Sequence, residues 1–401
     1  MDFSLNDHQA LTRDTVRQFM ENEVRPSVRQ RDREGRFPVE EIKKLAELGC
    51  CGMLVPEEWG GPGLDTISYV AMLEEVARVD AAMATSLSVT NSAVQVPLLA
   101  FGNDAQKKKY LRRLASGEIL GSFCLTEPQA GSDAAGIQAR AVLSGNASAG
   151  NAGAENVGAG LQPGVAAGVY RLNGTKTWVT NGSVAGVFLV FAKTDLNAGG
   201  KGITAFLVEP SFKGFRVGRH EEKMGQHSSP SVEIILNDCE VPAENRLGDE
   251  GQGLKIALSA LDGGRIGIAA LAVGLAQGAL DAAAKYAKQR SAFGKTISDF
   301  QAIQWMLADM QTEIEAARAL VYRAAWLKDS GGRMGAAASK AKLYSSEMVN
   351  RVAAKAVQIH GSVGYSRETD VERIYRDARV TTIYEGTSEV QRMIIARDLG
   401  L

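Results

Sequence analysis

The spacing of apolar residues changes period twice along the chain, and those two changes restrict the fold more than any single motif. From Leu5 to about Ile119 the spacing is helical: Val16, Phe19, Met20 and Val24 share one face, and Pro26 closes that segment. Further helices are expected over Val39–Leu48, ending at Gly49, and over Ile67–Val79, Met83–Leu99 and Gln106–Leu114. Near Leu120 the pattern turns to alternation. Strands are expected at Ser122–Leu125, Val169–Leu172, Thr177–Thr180, Val187–Lys193, Ile203–Val208 and Ser231–Leu236, with Asn173-Gly174 and Asn181-Gly182 as hairpin turns. Such short connections leave no room for crossover helices, so the sheet should be antiparallel. After Val241-Pro242 the helical period returns: one long helix over Leu254–Gln289, then Phe300–Leu327, Ala336–Ile359 and a last helix from Ser388. The fold class is α+β, with an N-terminal α-helical domain over 1–119, a middle antiparallel β domain over 120–242 and a C-terminal antiparallel four-helix bundle over 243–401.

Composition excludes several classes of function. The net charge is −1 with both signs interspersed, so no basic stripe points to nucleic acid. Cys50 and Cys51 are adjacent while Cys124 and Cys239 stand alone, and the four histidines have no metal-ligand spacing. No metal site is therefore expected, and a reducing, cytoplasmic setting fits. The longest small-apolar run, Ile266 to Ala276, is shorter than the roughly 20 residues of a membrane span. Ser144 to Gly168 holds seven Gly and seven Ala with one charge, Glu155, which reads as a flexible excursion between two strands.

Five stretches look unlike filler. Ile383-Tyr384-Glu385-Gly386-Thr387-Ser388-Glu389-Val390-Gln391-Arg392 reads as a helix mouth, with Ser388 as the cap and Gln391 reaching back to it. Glu385 then lies on a short apolar lead-in beside a glycine that lets another molecule approach the backbone. Partial desolvation would make it a base; a solvated charge complementing the helix dipole is the plainer alternative. The others are Phe123-Cys124-Leu125-Thr126-Glu127-Pro128-Gln129-Ala130-Gly131-Ser132-Asp133, Thr175-Lys176-Thr177-Trp178-Val179-Thr180-Asn181-Gly182, Gln289-Arg290-Ser291-Ala292-Phe293-Gly294-Lys295 and Gln358-Ile359-His360-Gly361-Ser362-Val363-Gly364-Tyr365. Asp262-Gly263-Gly264-Arg265 adds two glycines inside a helix, each costing about 1 kcal/mol relative to Ala. The two commonest phosphate cradles, G-x-G-x-x-G and G-x-x-x-x-G-K-[ST], are absent.

In this order on an α–β–α framework, the five stretches resemble the acyl-CoA dehydrogenase family, closest to its short-chain, butyryl-CoA-like members, from about Leu5 to Ala396 with a gap at the Gly/Ala segment. The resemblance implies FAD as cofactor. It assigns the flavin to Phe123, Leu125, Thr126, Gly131 and Ser132 on one side and Trp178, Val179 and Thr180 on the other. It assigns the rest of FAD to Gln358, Ile359, Gly361, Ser362, Thr387 and Glu389, and a neighbouring subunit's FAD to Arg290, Phe293 and Gln301. Substrate would be lined by Ser132, Asp262, Arg265 and Gly386. Glu385 would take the α-proton of an acyl-CoA while the β-hydrogen goes to the flavin, giving a trans-2-enoyl-CoA. An electron-transferring flavoprotein would receive the electrons, and a homotetramer is implied. Some relatives carry the base on the long helix, at the position of Gly264 here. Alternatives are a branched-chain acyl-CoA dehydrogenase, an acyl-CoA oxidase and a non-catalytic CoA- or flavin-binding scaffold.

Overall fold

The computed structural model describes residues 4–144 and 168–401. Helices come first: α1 (Asp7–Phe19), α2 (Val28–Glu34), α3 (Val39–Glu47), α4 (Thr66–Val79), α5 (Ala81–Ser88), α6 (Val96–Phe101) and α7 (Asp104–Ala115). Between α5 and α6 the chain runs through a wider, π-type turn over Val89–Gln95, so the single expected helix at Met83–Leu99 is three consecutive helical pieces. The strands follow: β1 (Leu120–Cys124), β2 (Arg140–Ser144), β3 (Val169–Thr180), β4 (Ala185–Lys193), β5 (Ile203–Val208), β6 (Phe215–His220), β7 (Ser231–Pro242) and β8 (Arg246–Leu247). The chain then returns to helix in α8 (Gly253–Gln289), a two-strand hairpin β9 (Ser291–Ala292) and β10 (Lys295–Thr296), and α9 (Gln301–Asp329), α10 (Gly335–His360), α11 (Asp370–Arg379) and α12 (Ser388–Asp398).

The sheet order is β6-β7-β3-β2-β4-β5-β8, with β1 alongside β4. It is antiparallel except where β4 meets β1 in parallel and touches β2 in parallel at Arg140↔Lys193. Strand β4 explains its own unbroken apolar run. Val187, Leu189 and Phe191 face a core shared with α6, α7 and the start of α8, while Phe188, Val190 and Ala192 face one shared with β3 and β7.

Asn181-Gly182 is a turn, with Asn181 at φ 64° and its carbonyl accepting from the Val184 N–H at 2.8 Å. Asn173-Gly174 is not. It lies inside β3, where the pairing with β7 slips by a bulge and Gly174 takes φ 151°. Asn173 exchanges two side-chain bonds with Asp238, at 2.9 and 2.8 Å, which tie that bulge to the neighbouring strand. The expected strands Val169–Leu172 and Thr177–Thr180 are thus one.

Helix α8 is the axis of the helical body. Its apolar window has the length and composition to cross a membrane, but 83% of it is buried inside the protein. Its glycines let it touch α4 at the backbone: a Cβ on Gly274 would lie 2.0 Å from the Glu74 carbonyl, and one on Gly278 2.4 Å from that of Arg78. One continuous apolar core therefore includes α1, α4 and α5 as well as α8, α9, α10 and α11.

Of the Gly/Ala-rich segment Ser144–Gly168, expected to be flexible, residues 145–167 lie outside the described residues. Its anchors are clear: Ser144 pairs directly with Val169 in the β2–β3 ladder. A two-residue Asn-Gly turn joining those strands should therefore close the hairpin in register. Replacing residues 145–168 in this way is expected to leave turnover and melting temperature nearly unchanged. A large loss of either would show that the segment contributes to the site or the core.

Candidate active site

Glu385 sits on the loop between α11 and α12 at φ 54°, a left-handed conformation that is uncommon outside glycine. Two donors, making three hydrogen bonds, hold it there. The buried Lys342 ammonium of α10 donates to the Gly386 carbonyl at 2.7 Å, and Gln391 Nε2 donates to the carbonyls of Gly386 at 2.9 Å and Glu385 at 3.2 Å. Gln391 does reach back from the helix, but the cap is Thr387, whose hydroxyl accepts from the Val390 N–H at 3.4 Å. The expected cap, Ser388, instead donates to Glu347 at 2.7 Å, a tertiary partner no local pattern reveals.

Glu385 is half-buried, but its Oε2 is shut off from solvent and has no hydrogen-bond partner among the described residues. Burial pushes its pKa up to about 7, against the pull of Arg265 and Lys342 towards the ionised form. The carboxylate faces Gly264 of α8: a Cβ there would lie 2.5 Å from Oε2 and 3.0 Å from Oε1. The helix-weakening glycine is where the side chain of the loop needs room. Arg265 pairs with Asp262 and is otherwise buried, with its Nε unpartnered.

A groove of about 750 Å³ runs along α8, lined by Leu254, Lys255, Leu258 and Asp262 on the helix and by Lys201 and Gly251 on adjoining loops. Its last lining position on α8, Asp262, lies two residues before Gly264. The turn Ala134–Gly136 borders it, since a Cβ on Gly200 would meet Leu254 at 2.6 Å and Ala135 at 3.7 Å. One turn past Gly264 the space closes. A Cβ on Gly267 would lie 2.5 Å from Ser88 Oγ and 2.7 Å from the Tyr69 hydroxyl, which are themselves 3.2 Å apart.

The loop after β1 is held against β3. The Thr177 N–H donates to the Thr126 carbonyl at 3.0 Å. Beneath it, fully buried Lys176 pairs with Glu127 at 2.7 Å and donates to the Leu125 carbonyl at 3.1 Å. Glu127 also accepts from the Gln138 and Ala139 N–H groups. A pulled-in ion pair of this kind fixes a loop only because its remaining lone pairs are satisfied. Neither lysine, 176 nor 342, was singled out in the sequence. Lys342 had a signal: it sits on the buried helical stripe Ala338, Ala341, Ser345, Val349, where a charge is out of place.

The candidate flavin residues divide by orientation. Trp178 stands at φ 58° on a bulge of β3, 58% exposed and next to Thr126's partner Thr177. Thr126 and Thr180 are half-buried, Gly131 and Ser132 exposed, and the Cβ position of Gly131 is open. Leu125, Val179 and Ile359 turn their side chains into the core, leaving only backbone for a ligand, and Phe123 packs on Phe191 at 5.1 Å. At the end of α10, Gly361 takes φ 61° and ψ −139°, a conformation essentially confined to glycine, with open space at its Cβ position beside exposed Gln358 and Ser362. Thr387 and exposed Glu389 open α12. Arg290 at the end of α8, Phe293 in the β9–β10 turn and Gln301 at the start of α9 form a separate exposed group, with Phe293 95% exposed and set edge-on to Phe300. Among the described residues no hydrogen bond or ring contact joins this group to Thr126, Trp178 or Glu385.

A helical core shared by the first and last thirds of the chain with a sheet domain between them in sequence, and a carboxylate aimed at a bare glycine, agree with what known proteins show. Family models described as the N-terminal, middle and C-terminal domains of acyl-CoA dehydrogenase match residues 6–118, 122–239 and 251–400. The short-chain-specific acyl-CoA dehydrogenase of Clostridium acetobutylicum is 43% identical over 396 residues, covering 99% of each chain. The structure of butyryl-CoA dehydrogenase from Megasphaera elsdenii superposes with a TM-score of 0.93 at 44% identity, covering 100% of both chains. A chain in the structure described as the electron transferring flavoprotein of Acidaminococcus fermentans has the same TM-score at 45% identity, covering 100% of this chain and 99% of that one. The chain belongs to the acyl-CoA dehydrogenase family. It is an oxidoreductase of that family, and its cofactor is FAD. The residues present fit such a group: an exposed Trp on a bulged strand for a flat ring, and an open glycine corner at a helix end for a dinucleotide backbone.

Proposed function

We propose that the chain dehydrogenates a short, straight-chain acyl-CoA at the α,β bond, with Glu385 as the base and an electron-transferring flavoprotein as the acceptor of its electrons. The observation that carries this is the enclosed Glu385 carboxylate, unpartnered at Oε2 and facing the bare backbone of Gly264 just beyond the lysine-bearing groove. Lys201 and Lys255 suit the phosphates of CoA, and the stripe Leu254, Leu258 suits its apolar arm. Glu385 takes the α-proton. Its own backbone N–H, which no acceptor among the described residues engages, is free to bond the thioester oxygen as charge develops there. FAD, when bound, supplies the acceptor for the β-hydrogen and its electron pair. Thr126 and Trp178 would flank the ring, Gln358 to Ser362 and Thr387 to Glu389 the rest of the dinucleotide, with Leu125, Val179 and Ile359 contributing backbone only.

Chain length follows from the floor of the site. Gly264 and Gly267 are about 4.5 Å apart along α8, and Ser88 and Tyr69 close the space at the second. A four-carbon acyl chain suits that depth better than an eight-carbon one. Anaerobic bleaching of the flavin by acyl-CoAs from C4 to C16, with isobutyryl- and 2-methylbutyryl-CoA, tests it. The largest kcat/KM is expected at butyryl-CoA, and equal values at C8 would overturn the short-chain reading. Rapid hydrogen peroxide release in air would shift the assignment to an oxidase, and absence of bleaching to a scaffold. Similarity to the Acidaminococcus chain supports the flavoprotein partner. Four buried, unpaired cysteines suit a reducing, cytoplasmic setting.

The exposed group Arg290, Phe293 and Gln301, apart from the chain's other candidate flavin residues, supports a homotetramer in which it reaches a neighbour's FAD. The domain division at 119/120 and 242/243 belongs to the same reading. Arg290→Ala is expected to lower FAD content and weaken assembly, measured by flavin absorbance and sedimentation. Unchanged values would remove Arg290 from the cofactor site.

A further inference from the structure

Lys342 is fully buried, and its one hydrogen bond among the described residues goes to the carbonyl of the residue after the base, Gly386 at 2.7 Å. A buried ammonium normally sits against a carboxylate. Here the anion that acts most strongly on it is Glu385 itself, and among the described residues no salt bridge pairs Lys342 with any carboxylate. Glu385 needs such a restraint because its backbone is left-handed, and among the described residues only Lys342 and Gln391 hold the following peptide. Resting on the function proposed above, we propose that Lys342 is a positioning residue for proton abstraction: it fixes the Glu385–Gly386 turn so that the carboxylate faces Gly264, and its charge keeps that carboxylate ionised in an enclosed site.

The electrostatics agree with this geometry. Arg265 of α8 and Lys342 of α10 both favour the ionised form of Glu385, while the hydroxyls of Tyr69 and Tyr384 feel its charge from α4 and the loop. Lys342 is pushed down to about 8 by burial and by Arg265, against the support of Glu385, Glu347 and Glu389. Arg265 already has Asp262 as a partner, so its charge is partly spoken for. Lys342 has no carboxylate partner among the described residues, and of the anions around it Glu385 acts most strongly. It works only through Glu385 and touches no reacting atom, which separates it from the catalytic residue.

Lys342→Met keeps an unbranched side chain only one atom shorter and removes both the charge and the donor. Its FAD content should match the wild type, because among the described residues no hydrogen bond or salt bridge joins Lys342 to a candidate flavin residue, and Glu389 acts on it only through its charge. In anaerobic flavin reduction by butyryl-CoA, kcat is expected to fall about 10- to 100-fold while KM changes less than about threefold. The acid limb of the pH profile should move up by about one unit, since a lost cation makes the carboxylate harder to ionise. Lys342→Gln, which keeps a donor without the charge, should regain part of kcat yet keep the displaced limb. If Lys342→Met does not fold, Lys342→Gln carries the test on the same displaced limb. A variant with wild-type kcat and an unmoved acid limb overturns the role. So does one whose only defect is lower thermal stability. Glu385→Gln is measured alongside: if it retains activity, the proposed base falls and the Lys342 role with it. If Glu385→Gln is inactive and Lys342→Met is normal, only the lysine assignment falls.

Discussion

Glu385→Gln should retain FAD and bind acyl-CoA but lose roughly 10²- to 10⁴-fold in the rate of anaerobic flavin reduction. The amide fills the same enclosed space without accepting a proton, and neither the groove along α8 nor the backbone turn is altered. The wild-type profile has a matching signature. Burial holds Glu385 at about 7, and only the ionised form can take a proton. Activity should therefore rise with pH through about 7 and level off above it, a limb that Glu385→Gln abolishes. Stopped-flow reduction from pH 5.5 to 9 reads both effects. Full activity in the glutamine variant would remove Glu385 from the chemistry.

A second large effect is expected from moving the base. The Gly264 Cβ direction points straight at the Glu385 carboxylate, 2.5 Å from Oε2. In the wild type a side chain there would collide with that carboxylate. Once Glu385 is reduced to glycine, the same volume is free, and glycine also relieves the left-handed φ of 54°. The double variant Glu385→Gly with Gly264→Glu places a carboxylate in the vacated space from the opposite wall. Proton abstraction depends on where the oxygen arrives and not on which element delivers it. Dehydrogenation should recover by about 10-fold or more over Glu385→Gly, with a shifted chain-length preference because the wall of the acyl site has changed. A double variant that binds FAD and substrate yet stays as inactive as the single one would show that the two positions do not serve the same carbon.

What the sequence makes legible here is whatever repeats locally. The helical and alternating periods marked the three-part arrangement, and Gly263-Gly264 announced a close approach that Glu385 turns out to occupy. Pair interactions across the chain stayed hidden. Asn173-Gly174 has the composition of a turn, but Asp238, 65 residues away, supplies bonds that hold it as a bulge. Thr387 and Ser388 are adjacent candidates for one cap, and Glu347 decides between them by taking the Ser388 hydroxyl. Lys176 looks like a surface lysine until Glu127 is brought to it, and Lys342, though out of place on its apolar stripe, has no visible partner until the Gly386 carbonyl arrives. Helix α11 was legible in principle: Val371, Ile374 and Ala378 recur at helical spacing and are buried. Its many charges masked the stripe.

The backbone contact between α4 and α8 has a temporal consequence. Glu74 and Gly274 touch in the folded protein but leave the ribosome 200 residues apart, roughly 10–40 s at ordinary rates of synthesis. For that interval Val70, Leu73, Val76 and Ala77 on α4 have no α8 to cover them. The growing chain must be kept from aggregating until α8 emerges, and translation slowed before residue 253 would lengthen its exposure.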